Sequence, residues 1–168
     1  KISKKKILDI GTGSGCIALA LKKRLVNTIV DGCDISDKAI EIANKNAVNN
    51  NLDVTFFKLN ILKDTINKYD IIISNPPYIA HEESKNMHLN VLDHEPHLAL
   101  FVNDNDPLLF YKKIAKQVRN TRTVAFMETS EFYTDTLNKW LTDEGFLTHW
   151  KYDINGKKRF LKISHRCN

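Results

Sequence analysis

The sequence predicts an α/β fold: a mostly parallel sheet with helices on both faces and an antiparallel hairpin at its C-terminal end. Three observations predict it. Apolar segments of strand length alternate with segments of helical period through most of the chain. A glycine-rich turn, Gly11-Thr12-Gly13-Ser14-Gly15, joins the first strand-like run to the first helix-like run. Near the end, Asn155-Gly156 separates two strand-like runs, a strong hairpin signal.

The elements follow in order. Residues 6–10 form a short strand that ends in the glycine turn. Residues 16–25, rich in Ala and Leu, form a helix, and residues 28–34 a second strand. Ser36 is an N-cap with Asp37 in the first turn, and Ile40, Ala43 and Ala47 then recur at helical spacing. Residues 54–58 form a third strand. Residues 69–74 contain the run Ile71-Ile72-Ile73, as expected for a strand buried on both faces. The pattern then breaks: residues 75–106 are polar and rich in His and Pro, and a loop this long is usually functional or disordered. Helix returns at 108–119, strand at 123–129 and helix at 132–144. The hairpin pairs 148–154 with 159–164.

With 168 residues the chain reads as one domain, 1–168, that hides roughly 70% of its unfolded surface. Hydrophobic residues make up 42% and charged residues 27%, which excludes a disordered chain. No stretch approaches the ~20 apolar residues of a membrane span, and the basic opening is not followed by a signal-peptide core. Three scattered cysteines, Cys16, Cys33 and Cys167, give neither a disulfide frame nor a zinc site. A reducing cytoplasm is the expected location. The net charge of +5 favours a polyanionic partner, but lysines spread along the chain fit a solvated surface equally well.

In open parallel sheets, ligands bind beyond the carboxyl ends of the strands, where the strand order reverses. The glycines let the backbone turn tightly and approach a ligand, and the helix that follows offers free N–H groups. Asp34, at the end of the second strand, stands where a carboxylate takes ribose hydroxyls. The spacing is G-x-G-x-G rather than the dinucleotide fingerprint G-x-G-x-x-G, and Asp9 precedes it. This combination resembles the S-adenosylmethionine site of class I methyltransferases, a Rossmann-like fold. The resemblance implies that Gly11, Thr12, Gly13, Ser14 and Gly15 pack on the methionine portion. It also implies that Ile35 lines the adenine pocket, with Asn60 and Ile61 in contact with adenine. The family usually has an acid at Asn60, though an amide can still accept a hydrogen bond.

The fourth strand ends in Asn75-Pro76-Pro77-Tyr78. Pro77 forces Pro76 toward an extended conformation, and both φ angles are fixed, so this backbone is stiff before substrate arrives. The Asn75 side-chain oxygen and the Pro76 carbonyl can accept two hydrogen bonds from one NH2 group, while Tyr78 lies against a planar group. Two fixed acceptors suit an amide nitrogen, whose delocalised lone pair must be aimed at the methyl carbon. Asn75 also borders the cofactor site. The tetrapeptide serves equally for adenine, cytosine, guanine or glutamine nitrogens.

The downstream segment decides between them. Glu82 and Glu83 precede Val91-Leu92-Asp93-His94-Glu95-Pro96-His97-Leu98-Ala99-Leu100-Phe101, and Leu109-Phe110-Tyr111 follow. Together with the closing Asp153-Ile154-Asn155-Gly156-Lys157-Lys158-Arg159, this resembles the HemK/PrmC family over nearly the whole chain. The resemblance implies methyl transfer from S-adenosylmethionine, leaving S-adenosylhomocysteine, to the glutamine N5 of the Gly-Gly-Gln motif of class I peptide chain release factors. It implies a protein partner, no membrane and no direct contact with nucleic acid, for an enzyme expected to be a monomer. The family's N-terminal helical domain has no counterpart here, so the chain reads as the catalytic domain. Two further departures are the absent glycine pair before Thr123 and Met127-Glu128-Thr129 in place of the usual Glu-Ile pattern. The alternatives are a DNA or RNA amino-methyltransferase, motivated by the basic charge, and a cofactor-binding module without catalysis. His94 and His97 have metal-like spacing but no acidic or cysteine partner, so no metal is expected. Glu95 reads as structural, Glu128 as either a site residue or a solvated carboxylate, and Trp140 and Trp150 as packing residues.

Overall fold

The computed structural model describes residues 4–76, 106–119 and 121–165, with the backbone of 79–80 and 101–102. Pro77, Tyr78, His94, Glu95, His97 and Cys167 lie outside the described residues.

Seven strands form one sheet. In chain order the elements are β1 (Lys6–Ile10), α1 (Cys16–Arg24), β2 (Ile29–Asp34), α2 (Asp37–Asn49), β3 (Thr55–Lys58) and β4 (Ile71–Ser74). Two short strands follow, β5 (Ile79–Ala80) and β6 (Phe101–Val102), which pair with each other in parallel. Then come α3 (Leu109–Val118), β7 (Val124–Glu128), a 3₁₀ turn (Glu131–Tyr133), α4 (Thr134–Asp143), β8 (Phe146–Tyr152) and β9 (Lys158–His165). The strand order is β3-β2-β1-β4-β7-β9-β8. The first five of these pair in parallel, and β9 runs antiparallel to both β7 and β8. The mostly parallel sheet and closing hairpin are those expected.

Local chemistry explains the boundaries. Ser36 has extended backbone and its hydroxyl accepts from the Ala39 N–H at 3.3 Å, which starts α2 at the expected cap. Ala43 and Ala47 then face inward at helical spacing. In the hairpin loop, Asp153 Oδ1 accepts from the N–H groups of Asn155 and Lys157, and Oδ2 accepts from Arg159 Nε. Gly156 takes φ +75°. The loop is thus an aspartate-ordered turn. The expected helix at 132–144 begins one residue early, as the 3₁₀ turn, because Ser130 caps Phe132.

The core has two layers. α3 and α4 cover one sheet face, where Ile72, Ala125, Met127, Leu161 and Ile163 meet Ile114, Leu137 and Leu141. Trp140 and Trp150 pack against this cluster, and Asn138 Oδ1 accepts from Trp150 Nε1 at 2.8 Å, which ties α4 to β8. On the other face α1 and α2 bury Ile7, Val30, Val54 and Phe56. The triple isoleucine departs from expectation. Ile72 is buried, whereas Ile71 and Ile73 are only partly covered, because they sit at the outer edge of the layer under α1.

Candidate active site

The strand order reverses between β1 and β4, which places a crevice at their carboxyl ends. The register pairs Ile10 with Ser74, so Gly11 and Asn75 leave the sheet side by side. A buried clasp fixes the two exits together: the Ser74 hydroxyl donates to the Ile10 carbonyl at 2.8 Å. The turn then folds over the end of β2, with the Gly11 and Thr12 N–H groups donating to the Cys33 carbonyl at 2.8 and 3.0 Å.

The glycines of the turn serve two purposes. Gly11 and Gly13 take φ +70° and +56°, and a Cβ on either would meet no heavy atom within 4 Å. The backbone demands them, and they leave an open main-chain surface on the turn. Gly15 caps α1 at φ +84°, and a Cβ there would come 2.9 Å from Phe56 Cζ. It is a packing glycine as well as a turn glycine. Gly32 is another, since its Cβ would lie 2.6 Å from the Phe56 ring and 2.8 Å from Thr12 Oγ1.

Asp9 holds the turn from below. Its Oδ2 accepts from Thr12 Oγ1 at 2.7 Å and from the Ala18 N–H at 3.2 Å, bridging the loop to the first turn of α1. The residue is buried, and Oδ1 has no partner among the described residues. Burial pushes its carboxyl up to about 6, against the lowering effect of the Thr12 and Ala18 hydrogen bonds, and the Asp34 carboxylate adds to the rise. Burial likewise pushes the Cys33 thiol up to about 12, with Asp9 adding to it, so this cysteine is inert packing.

Asp34 secures the other side. Its Oδ2 accepts from the Gly13 N–H at 2.9 Å and its Oδ1 from the Ser36 N–H at 3.0 Å. A carboxylate has about four acceptor positions, so two remain for ligand hydroxyls. Ile35 beside it is 48% exposed, an apolar surface next to a polar one. At the end of β3, Asn60 Oδ1 accepts from the Leu62 N–H, and its own N–H donates to Asp64, which builds a tight turn. Ile61 is buried in the larger core, so its side chain points inward rather than toward the crevice. An open glycine backbone, a carboxylate with spare acceptors and an apolar flank fit a nucleoside bearing a short amino-acid chain.

Across the crevice Asn75 is exposed and hydrogen-bonded to no described residue, while Pro76 is buried. Glu128, whose role the sequence leaves open, lies at the end of β7, one strand over from Asn75, and both line a cavity of about 540 Å³. Asp9 was singled out in the sequence by its place directly before the turn, though not its bonds to Thr12 and Ala18. The sequence reasoning missed three supporting residues: Ser74 acts through a contact across the fold, and Gly32 and Phe56 through a close approach. Among the described residues no cluster of His, Cys, Asp or Glu could hold a metal, and no helix is long and apolar enough to cross a membrane.

A release factor glutamine methyltransferase of Flavobacterium psychrophilum is 47% identical over 96% of this chain and 59% of its own length. One of Bacteroides thetaiotaomicron is 51% identical over 67% of this chain and 41% of its own length. The chain thus spans about three-fifths or less of the length of these relatives. Among solved structures, the hMettl16 catalytic domain in complex with MAT2A 3'UTR hairpin 6 superimposes with TM-score 0.72 at 20% identity, covering 97% of this chain and 65% of that one. The ribosomal protein L11 methylase of Lactobacillus delbrueckii subsp. bulgaricus gives 0.61 at 22% identity, covering 98% and 72%. These two show the fold. The pattern of the methyltransferase small domain matches residues 1–128, from the first strand through Glu128. That matched range takes in both the glycine turn and Asn75, which leave the sheet side by side at the strand-order reversal, and the chain belongs to the methyltransferase small domain family.

Proposed function

We propose that this chain is the catalytic unit of an enzyme that methylates the N5 amide nitrogen of the glutamine in the Gly-Gly-Gln motif of class I peptide chain release factors. The observation that carries the reading is the side-by-side exit of Gly11 and Asn75 from β1 and β4. The names of the relatives at 47% and 51% identity supply the substrate.

S-adenosylmethionine, when bound, supplies an electrophilic methyl group. Gly11, Thr12, Gly13, Ser14 and Gly15 would hold its methionine portion, Asp34 its ribose, and Ile35 with the main chain of the Asn60-Ile61 turn its adenine, the Ile61 side chain lying in the core. Asn75 and the Pro76 carbonyl accept from the two N–H bonds of the glutamine amide, which turns the nitrogen lone pair toward the crevice. Two acceptors would also stabilise the positive charge that grows on nitrogen as its bond to the methyl carbon forms and the methyl–sulfur bond breaks, after which the surplus N–H proton passes to water. Pro77 keeps this backbone stiff, and Tyr78 packs on the amide plane. The enzyme acts as a cytoplasmic monomer on a protein, without direct contact with nucleic acid.

The test is mass spectrometry of a release factor incubated with the protein and S-adenosylmethionine. A single added methyl on the Gly-Gly-Gln glutamine is expected, and Asn75→Ala abolishes it. Labelled methyl appearing on RNA or DNA instead, with the release factor unmodified, rejects the reading.

A further inference from the structure

The turn at 11–15 holds three glycines at positive φ, so its backbone keeps its shape through bonds from outside rather than by its own preference. Cys33 holds the Gly11 and Thr12 N–H groups, and Asp34 holds the Gly13 N–H. The peptide unit between Ser14 and Gly15 is trans and planar, so its N–H and its carbonyl point opposite ways. Its Gly15 N–H donates to the Thr12 carbonyl at 2.9 Å. At the other end of the same unit, the Ser14 carbonyl accepts from Asn46 Nδ2 at 2.9 Å. Asn46 belongs to α2 and follows Ala43 by three residues, on the side of the helix that meets the turn. A Cβ on Gly15 would come 3.2 Å from Ala43 Cβ, which shows how closely α2 approaches there. The next unit back, Gly13–Ser14, has neither its N–H nor its carbonyl bonded to a described residue, and it lies open to a ligand.

We propose that Asn46 is a positioning residue for S-adenosylmethionine: its amide locks the Ser14–Gly15 peptide plane and so fixes the open Gly13–Ser14 main chain that receives the methionine portion. The chemistry requires a donor. The Ser14 carbonyl can only accept, so the NH2 group of Asn46 makes the bond, and a carboxylate at this place could not. The rest of α2 shows that the bond is not a helix-stabilising habit. Asparagine in a helix interior bonds to nearby main chain. Asn44 and Asn50 do so, donating to the carbonyls of Ile40 and Asn46, each four residues back. Asn46 instead reaches out of its helix to a group 32 residues away. The fold does not need it. Asn46 is only partly buried, and alanine is the better helix former, so its removal leaves α2 and the core in place. What changes is the turn. The Ser14 carbonyl loses its partner, and the unit it belongs to, with a glycine on one side, is free to rotate. That rotation draws the Gly15 N–H away from Thr12 and shifts the start of α1 under the cofactor.

The inference rests on the cofactor and not on the proposed substrate, so it is tested without methyl transfer. Calorimetry measures S-adenosylhomocysteine binding to the wild type and three variants, and thermal melting without ligand reports their stability. Asn46→Ala is expected to weaken binding roughly five- to ten-fold, as the loss of one hydrogen bond implies, with a ligand-free melting temperature within about 2 °C of the wild type. Asn46→Asp keeps the size of the side chain but, ionised, offers no donor, and it is expected to weaken binding at least as much. Asn44→Ala removes a bond made only within α2 and is expected to bind like the wild type. Wild-type affinity in either Asn46 variant overturns the proposal. So does a larger fall in the ligand-free melting temperature of Asn46→Ala, which assigns the residue to the fold. Equal weakening in Asn44→Ala also overturns it, since the effect then belongs to α2 as a whole. A wild type that binds no S-adenosylhomocysteine removes the cofactor site and the inference with it.

Discussion

Asp9 is the residue on which local chemistry and fold meet most directly. It is a carboxylate buried beneath the turn it organises, with one oxygen used twice and the other left without a partner among the described residues. Its folded pKa is raised, so the proton is held more tightly in the folded chain than in the unfolded one. The associated stability is fully present below the ordinary value of 3.8 and is lost as the pH rises through about 6. A shift of that size amounts to about 3 kcal/mol. Asp9→Asn removes the charge while keeping an acceptor for Thr12 and Ala18, so it removes this loss. Urea unfolding of both proteins from pH 4 to 7 is expected to show the variant gaining about 2–3 kcal/mol on the wild type across the interval. Parallel stability curves for the two proteins would falsify the assignment. Asp70 shifts the other way, because bonds from the Lys6 N–H and the Lys5 ammonium hold its carboxyl low, so it destabilises both proteins equally on acidification.

At the scale of elements, the site depends on how closely α1, β2 and β3 approach one another. Gly32 is the narrowest point: Phe56 reaches across β2 to pack over it, and Thr12 comes down from the turn onto the same spot. Gly32→Ala inserts a methyl 2.6 Å from the ring and 2.8 Å from Thr12 Oγ1, which no relaxed structure tolerates. Moving the ring disturbs the smaller core, and moving Thr12 loosens its bond to Asp9. We expect a loss of about 1–3 kcal/mol in unfolding free energy, together with weaker cofactor binding by calorimetry. A stable variant with unchanged cofactor affinity contradicts this account of the packing. The sequence gives no warning of this contact. Gly32 sits in an ordinary strand-like run, and its close approach depends on which strand lies beside β2. The glycine turn was legible because its meaning is local: positive φ angles and a helix start within a few residues. Ser36 was legible for the same reason. Ile61 shows the opposite case, since a turn after a strand does not disclose which of its side chains faces inward.

For the whole molecule, the alternation of strand and helix made the layered sheet legible, and the rule of ligand binding at a strand-order reversal carried the turn and Asn75 to one edge. What it could not supply was the bond that holds them there, from Ser74 to Ile10, because it arises from a contact between distant segments. The connection at 59–70 is a further case. It contains no helix, and Leu59, Leu62 and Ile66 cover that part of the sheet as irregular chain. If the division of labour across the crevice is correct, the two halves separate in a single experiment on overall stability. A ligand that binds only the folded chain at 100 times its dissociation constant stabilises it by about 2.7 kcal/mol. For a domain of this size that raises the melting temperature by roughly 5–10 °C. Asn75→Ala keeps nearly the whole shift with S-adenosylhomocysteine, because Asn75 is assigned chiefly to the substrate amide. Asp34→Ala loses most of it at the same ligand concentration. The variant forfeits a charge-assisted contact worth about 1.5–3 kcal/mol and releases the Gly13 N–H that Asp34 anchors. Equal shifts in the two variants contradict the assignment of Asp34 to cofactor and Asn75 to substrate, even if both abolish transfer.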